Sequence, residues 1–328
     1  MNEEALQSPA IATLREGDVF EGYYVLREAS LHTAVNGRNY IRLAVGDATG
    51  LLGGNIWDAN PELFQLCAPG TVVKIQAATE SYKGRPQLRV ARFRPAREGE
   101  FDVDSFLPKS KRPIDEMRGE LDRFRAAIAD PWYGGLLAAF FDDAGLLERF
   151  LRAPAAREVH HAWVGGLVEH TLNVARLAAD FAAGGAVDRD LLLVGALLHD
   201  IGKIEELSMG LTIEYTDRGK LHGHLFIGAG MVGVRSRAIA GFPEEKRDLV
   251  QHLVLSHHGR LEYGSPVSPK IPEAFALHHL DNLDAKVETA NRLIAAVRDP
   301  GKRWTEYSRT METALYRAGA GAGEAADA

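Results

Sequence analysis

Cysteine is nearly absent: Cys67 is the one thiol in 328 residues. No intramolecular disulfide can form from it, and no thiolate cage for zinc. Long apolar runs are missing as well. The longest, Leu191 to Leu198, falls far short of the ~20 residues that a membrane-spanning helix needs. The opening residues, Met1-Asn2-Glu3-Glu4, are acidic and lead into no secretory apolar stretch. These absences set the expectation of a cytoplasmic protein without a membrane partner. An excess of positive charge is lacking too: the net charge of −7 argues against a chain that coats nucleic acid over its whole surface. Net charge averages over domains, however, and can hide a basic patch. What remains is ordinary globular composition, 46% hydrophobic and 25% charged, over a length that suggests two domains of ~150 residues.

Residues 1–12 carry no pattern and are expected to be disordered. From 13 to 97 short alternating runs are broken by turn residues. Val19–Leu26, Tyr40–Val45, Leu51–Trp57, Thr71–Ala77 and Gln87–Phe93 read as five strands. Pro61–Cys67 reads as a short helix capped by Asn60. Five strands with a helix between the third and fourth predict an OB-type barrel, although another small β-barrel satisfies the same count. Within this region Ser81 to Arg97 holds six cations and no acid, with Tyr82 and Phe93 interleaved. Cations that track phosphates and rings that stack on bases hold single-stranded nucleic acid, so Tyr82, Lys83, Arg85 and Arg89 are the candidate strand contacts. Trp57 is assigned to the core.

Residues 98–113, punctuated by Pro108 and Pro113, read as a linker, and from 114 to 304 the chain is helical. The fold class is therefore multidomain, a β-barrel followed by an all-α domain. Helices are expected over 116–129 (ended by Pro131), 136–141, 146–151, 165–183, 223–239, 243–257 and 272–297, with one more capped by Asp188 or Asp190 and running into His199-Asp200. Residues 305–328, low in complexity toward the end, are expected to be a flexible tail.

The apolar run that ends in His199-Asp200-Ile201-Gly202-Lys203 demands an explanation, because burying an unpaired polar group costs roughly 2–7 kcal/mol. A bound metal ion removes that cost by supplying the charge a carboxylate lacks. Other ligands follow the same logic. His170 shares a helical stripe with Val174, Leu177 and Phe181, and His199 and Asp200 diverge by about 100° around a helix. His224 opens a helix after Gly223, His257 and His258 end one before Gly259, and Asp281 lies one turn from Leu277. Mixed nitrogen and oxygen ligation suits Mn, Fe, Co or Ni better than Mg, with Zn also open. Two such ions make a phosphoester site, with hydroxide as the attacking group. Lys203, one turn past Asp200, is placed to meet a phosphate oxygen; the competing role is a solvent-facing cation near a helix C-terminus.

His170, His199-Asp200 and Asp281 reproduce the order His…His-Asp…Asp of the HD superfamily of metal-dependent phosphohydrolases. The wider wording, Gly165-Gly166-Leu167 with Glu169-His170-Thr171, Ala196 to Lys203, Ser256-His257-His258-Gly259 and Leu280-Asp281-Asn282-Leu283-Asp284-Ala285-Lys286, resembles the YhaM family of 3′→5′ exoribonucleases. That family places an OB domain before an HD domain, and Asp47-Ala48-Thr49-Gly50 through Asn55-Ile56-Trp57-Asp58 agrees with its first domain. The resemblance implies a Mn²⁺-type enzyme that removes 5′-nucleotides from the 3′ end of single-stranded RNA, with single-stranded DNA left open. It implies that His170, His199, Asp200 and Asp281 hold a first ion. Asp200 would bridge to a second on His224 and one of His257 or His258, with His257 favoured as ligand and His258 given a catalytic or substrate role. It further suggests that His160, His161 and Glu262 touch the nucleotide, that Asp284 stands behind the ligands, and that the protein is a homo-oligomer. His252, His278 and His279 read as structural.

Two rivals belong to other classes. A phosphohydrolase of small nucleotides or cyclic dinucleotides shares the metal chemistry but has no use for a strand-binding barrel. A non-catalytic RNA-binding protein would need a degenerate HD scaffold, and every imidazole and carboxylate position is filled.

Overall fold

A computed structural model describes residues 8–82, 85–157, 161–297, 299 and 301–318, so Lys83 and His160 lie outside the described residues. The chain divides into two compact units, Met1–Lys109 with Met209–Thr212 and Ser110–Ser208 with Ile213–Ala328.

In the first unit, strands β1 (Val19–Thr33), β2 (Asn39–Asp47), β3 (Gly50–Trp57), β4 (Val72–Tyr82) and β5 (Arg85–Pro95) close into a barrel in the order β1-β2-β3-β5-β4. Helix α1 (Pro61–Gln65) lies between β3 and β4, and β3 pairs with β5 in parallel, which is OB topology. Alternation builds it. Ile41, Leu43 and Val45 are buried inside the barrel while Arg42 between them is exposed. As expected, Asn60 caps α1, its Oδ1 accepting the Leu63 N–H at 2.7 Å.

Three expectations change here. The strands run longer, β1 to Thr33 and β4 to Tyr82. Polar residues such as Thr79-Glu80-Ser81 hide them, because the backbone ladder continues (Thr79 opposite Leu88, Ser81 opposite Pro86) whatever the side chains are. Residues 8–12 pack onto the barrel: Ile11 enters its core, its N–H donates to Asp47 Oδ2 at 2.8 Å, and the Tyr24 hydroxyl donates to the Pro9 carbonyl at 2.7 Å. Trp57 is not core. It is 50% exposed on the outer face of β3.

The second unit is built of α2 (Ile114–Ala126), α3 (Pro131–Phe141), α4 (Ala144–Arg152), α5 (Gly166–Ala182), α6 (Arg189–Leu198), α7 (Lys203–Glu206), α8 (Asp217–Arg237), α9 (Glu244–Ser256) and α10 (Pro272–Ala295). A hairpin of β6 (Leu207–Met209) and β7 (Ile213–Tyr215) follows α7. Pro131 starts a helix instead of ending one. It stands in the first turn of α3, where its missing N–H costs nothing, and Asp130 Oδ1 accepts from Trp132 and Tyr133. Between the two candidate caps, Asp188 caps α6 and Asp190 instead accepts the N–H groups of Ala129 and Asp130.

Helix α6 is buried on every side from Leu191 to Leu198, with α5, α9 and α10 packed around it. A helix apolar all round belongs at the centre of a bundle. Gly195 permits the close approach, since a Cβ there would come within 2.5 Å of Leu253 Cδ1. The last apolar turn thus delivers His199 and Asp200 to the middle of the domain. Among the described residues no helix is long and apolar enough to cross a membrane.

The expected flexible tail is structured as far as it is described. Trp304 bridges to Tyr316 and Ser308 to Thr313, and Lys286 Nζ donates to the Thr310 carbonyl at 3.2 Å. The Trp304 and Tyr316 rings, 5.2 Å apart, close this loop on itself, a pairing that composition cannot display. Residues 319–328 lie outside the described residues.

Candidate metal centre and nucleic-acid face

His199 and Asp200 do not sit within a helix as expected but on the turn that follows α6. Gly202 in that turn lets α8 approach, for a Cβ on it would fall 2.1 Å from the His224 carbonyl. Helix α8 breaks at Gly223 (φ 69°, ψ 155°), a conformation that glycine adopts without strain, and the break re-aims His224.

Six ligand candidates converge. His170 Nε2 lies 3.1 Å from Asp281 Oδ1, 3.2 Å from His199 Nε2 and 3.6 Å from Asp200 Oδ2. His199 Nε2 is 3.4 Å from the same Asp200 oxygen. The other Asp200 oxygen, Oδ1, faces His224 Nε2 at 3.5 Å and His257 Nε2 at 3.6 Å. His258 joins the second group: ligand atoms of His224, His257 and His258 lie within 4.8 Å of one another, as do those of His170, His199 and Asp281. Between His257 and His258 the geometry makes no choice; it brings in both.

Tautomers follow from the partners. The Nδ1–H groups of His199, His257 and His258 donate to the carbonyls of Ala196, Val254 and Tyr263 at 2.8–2.9 Å. A carbonyl can only accept, so in the neutral ring each Nε2 carries a lone pair turned toward the centre. His170 Nδ1–H donates to Asp284 Oδ2 at 2.7 Å and His224 Nδ1–H to Glu206 Oε1 at 3.0 Å.

Electrostatics separate the groups. Burial would push the His170 imidazole down, but Asp281 and Asp284 override it and raise it to about 9. Burial lowers His257 to about 3 despite Asp200. Burial would raise Asp200, yet Lys203 and His199 hold it well below the ordinary carboxylate range. Asp281 is likewise held low, His170 overcoming its burial.

The donor set fits divalent cations. Asp200 Oδ1 and His224 Nε2 are buried acceptors that face each other, and among the described residues neither has a hydrogen-bond partner. Acceptors that converge out of water repel unless a cation stands between them.

Other candidates are placed differently. Lys203 is buried, with Nζ 2.6 Å from Asp200 Oδ2, so the solvent-facing role does not apply. It also lines a cleft of about 250 Å³ with Asp200, His257, His258, Tyr263 and Asp281. His161, expected at the nucleotide, is 2% exposed and stands behind His170, with Nε2 3.0 Å from Asp284 Oδ2. Asp284 gathers His161, His170 and Asn173, which draws the ring inward. Glu262 is exposed, and it is its neighbour Tyr263 that reaches the cleft. His278 donates to the His257 carbonyl at 2.8 Å and His252 Nε2 accepts the Lys270 N–H at 2.9 Å, which suits structural roles. Glu206, Asn173 and Tyr263 escaped the sequence reading, since none carries a spacing signal.

On the barrel, β2 and β3 present Tyr40, Arg42, Asn55 and Trp57 outward in register, Tyr40 opposite Trp57 and Arg42 opposite Asn55. The Tyr40 ring lies 5.4 Å from His32 and 5.0 Å from Trp57, an aromatic row absent from the sequence reading. A groove of about 480 Å³ beside it is lined by Arg42, Gly53, Gly54, Asn55, Tyr82 and Gln87. The acid-free run on β5 is less positive in space than in sequence. Glu100 accepts two hydrogen bonds from Arg94 at 2.8 Å, and Glu80 lies 3.8 Å from Arg89. Arg89 nevertheless stays exposed beside Asn55, and Arg85 pairs with Tyr82 through its backbone, its side chain lying outside the description.

Residues 167–286 match the family model described as HD domain. Over 306 residues, 92% of this chain and 95% of the relative, the sequence is 35% identical to the 3'-5' exoribonuclease YhaM of Bacillus subtilis (strain 168). It is 33% identical to the protein of the same name from Geobacillus sp. (strain WCH70), covering 92% of each chain. The Bacillus pumilus (strain SAFR-032) counterpart is also 33% identical, over 93% of this chain and 96% of that one.

Proposed function

The chain belongs to the YhaM family of 3′-5′ exoribonucleases, and from that premise we propose that it is a metal-dependent 3′→5′ exoribonuclease acting on single-stranded RNA. One observation carries the chemistry: the two oxygens of Asp200 face two separate imidazole groups, as a carboxylate shared by two cations must. His170, His199 and Asp281 would hold one ion and His224, His257 and His258 the other; the mixed nitrogen and oxygen set suits Mn²⁺, Fe, Co or Ni, and the family resemblance favours Mn²⁺ among them. Such ions, when bound, polarise a phosphodiester and make water a nucleophile at neutral pH.

The chain's own groups do the rest. Lys203, an ammonium at the cleft wall, offers a point charge to a phosphate oxygen. The exposed Tyr263 ring gives the terminal base a face to stack on. Ribose could be exchanged for deoxyribose without disturbing any of these contacts, so single-stranded DNA stays within the reading. The barrel serves as the strand-holding surface through Tyr40, Trp57, Arg42 and Arg89. That surface disfavours a hydrolase of small nucleotides, which needs no extended platform.

Incubation with Mn²⁺ and 5′-labelled single-stranded RNA tests the activity. A ladder that shortens from the 3′ end is expected; intact RNA beside a cleaved cyclic dinucleotide would transfer the function to the rival. The barrel is tested separately. Stacking contributes ~1–3 kcal/mol per base, so Tyr40→Ala with Trp57→Ala, which removes two rings, is expected to raise the Kd for long RNA by about 30-fold or more. Dinucleotide hydrolysis should stay within about twofold, and equal loss on both substrates would remove the barrel from the mechanism.

A further inference from the structure

We propose that Glu206 is a positioning residue that compensates charge on the His224 side of the cage and so sets its hold on a divalent cation; this rests on the two-ion reading. The two sides are unequal. One groups His170 and His199 with Asp281 and Asp200 Oδ2, two carboxylates in all. The other groups three imidazoles, His224, His257 and His258, and among the described residues the shared Asp200 is the one carboxylate facing them directly. Three neutral rings and a shared carboxylate leave a dication under-compensated in a buried place.

Each side nevertheless has one imidazole whose far nitrogen donates to a carboxylate instead of a backbone carbonyl. On the first side it is His170, held by Asp284. On the second it is His224, held by Glu206. A carboxylate behind a histidine makes the ring a stronger donor and fixes its orientation. The first side has Asp281 as well as Asp284, whereas on the second side Glu206 is, among the described residues, the carboxylate that adds negative charge to that of the shared Asp200, one residue removed.

Its setting is built for that task. Glu206 is 8% exposed, and one oxygen, Oε1, accepts both the Nδ1–H and the backbone N–H of His224. The Glu206 carbonyl accepts the Thr216 N–H at 2.9 Å. Gly219 passes so close that a Cβ would stand 2.3 Å from that carbonyl. The helix break at Gly223 completes the turn that lays His224 on the carboxylate.

Isothermal titration of the metal-free full chain with Mn²⁺, its stoichiometry confirmed by elemental analysis, tests the proposal. The wild type should take up two equivalents. Glu206→Gln keeps an oxygen for both N–H groups but removes the charge. It should bind one equivalent as the wild type does and the other about 10- to 100-fold more weakly. Glu206→Asp, which keeps the charge, should hold the second equivalent within a few-fold and serves as the readout if the glutamine variant does not fold. Two equivalents at wild-type affinity in Glu206→Gln, or an aspartate variant as weak as the glutamine one, overturns the proposal and leaves the two-ion reading intact. A wild type that takes up fewer than two ions overturns the two-ion reading itself.

Discussion

Asn in place of Asp200 is expected to cut RNA turnover by at least about 10³-fold, because about 4 kcal/mol of transition-state stabilisation is lost with the shared carboxylate. The amide has one acceptor oxygen where the carboxylate has two. One group of imidazoles, either His170 with His199 or His224 with His257, would then face N–H hydrogens instead of an oxygen. The same change leaves the Lys203 ammonium buried without its 2.6 Å partner. Breaking one half of a buried pair typically costs ~3–5 kcal/mol, so the metal-free variant should also unfold at lower urea. Binding of RNA by the barrel should persist within a few-fold. Steady-state kinetics, urea melts and a filter-binding assay separate these effects, and turnover retained within about tenfold would show that Asp200 does not join two ions.

Mn²⁺ added to chelator-treated protein should raise the melting temperature by a margin that widens with pH. A ligand at 100 times its Kd stabilises the folded state by ~2.7 kcal/mol, and a unit of about 200 residues gains ~2–4 °C per kcal/mol. Two ions should therefore add roughly 10–20 °C. The pH dependence comes from His170. Its folded value of about 9 is above the ordinary ~6.5 of a histidine, so its imidazolium stabilises the ion-free protein fully below ~6.5. That contribution fades as pH rises through 9. An ion needs the Nε2 lone pair, so uptake must expel this proton and grows more favourable over the same window. His257, lowered to about 3, has no proton to give up. Scanning fluorimetry at pH 6.5, 7.5 and 9 with and without Mn²⁺, and proton release measured in weak buffer, check the prediction. A gap that narrows with rising pH would contradict it.

The barrel and the helical unit were legible in the sequence because they follow from local periodicity, while the set of imidazoles and carboxylates that converge was legible from their placing at helix ends and apolar faces together with the family resemblance. Alternation at Ile41, Leu43 and Val45 marks a half-solvated strand, and eight apolar residues before His199 mark a helix buried all round. Polar groups at the end of such a run require compensation wherever the chain goes next. What a linear pattern cannot express is which atoms of different elements come within a few ångströms. That is why the acid-free run on β5 proved partly neutralised by Glu100 and Glu80, why Trp57 turned outward and His161 inward, and why residues 304–316 closed on themselves.

The sequence by itself determined the barrel, the helical domain and the imidazoles and carboxylates that ions would need, since spacing along the chain sets which side chains share a face. Tertiary structure alone decided which imidazoles each Asp200 oxygen faces, that His170 is the ring Asp284 holds, that Glu206 stands behind His224, and that Lys203 is buried against the carboxylate. Those relations are distances between segments far apart in the chain, and they exist only once packing has brought the segments together.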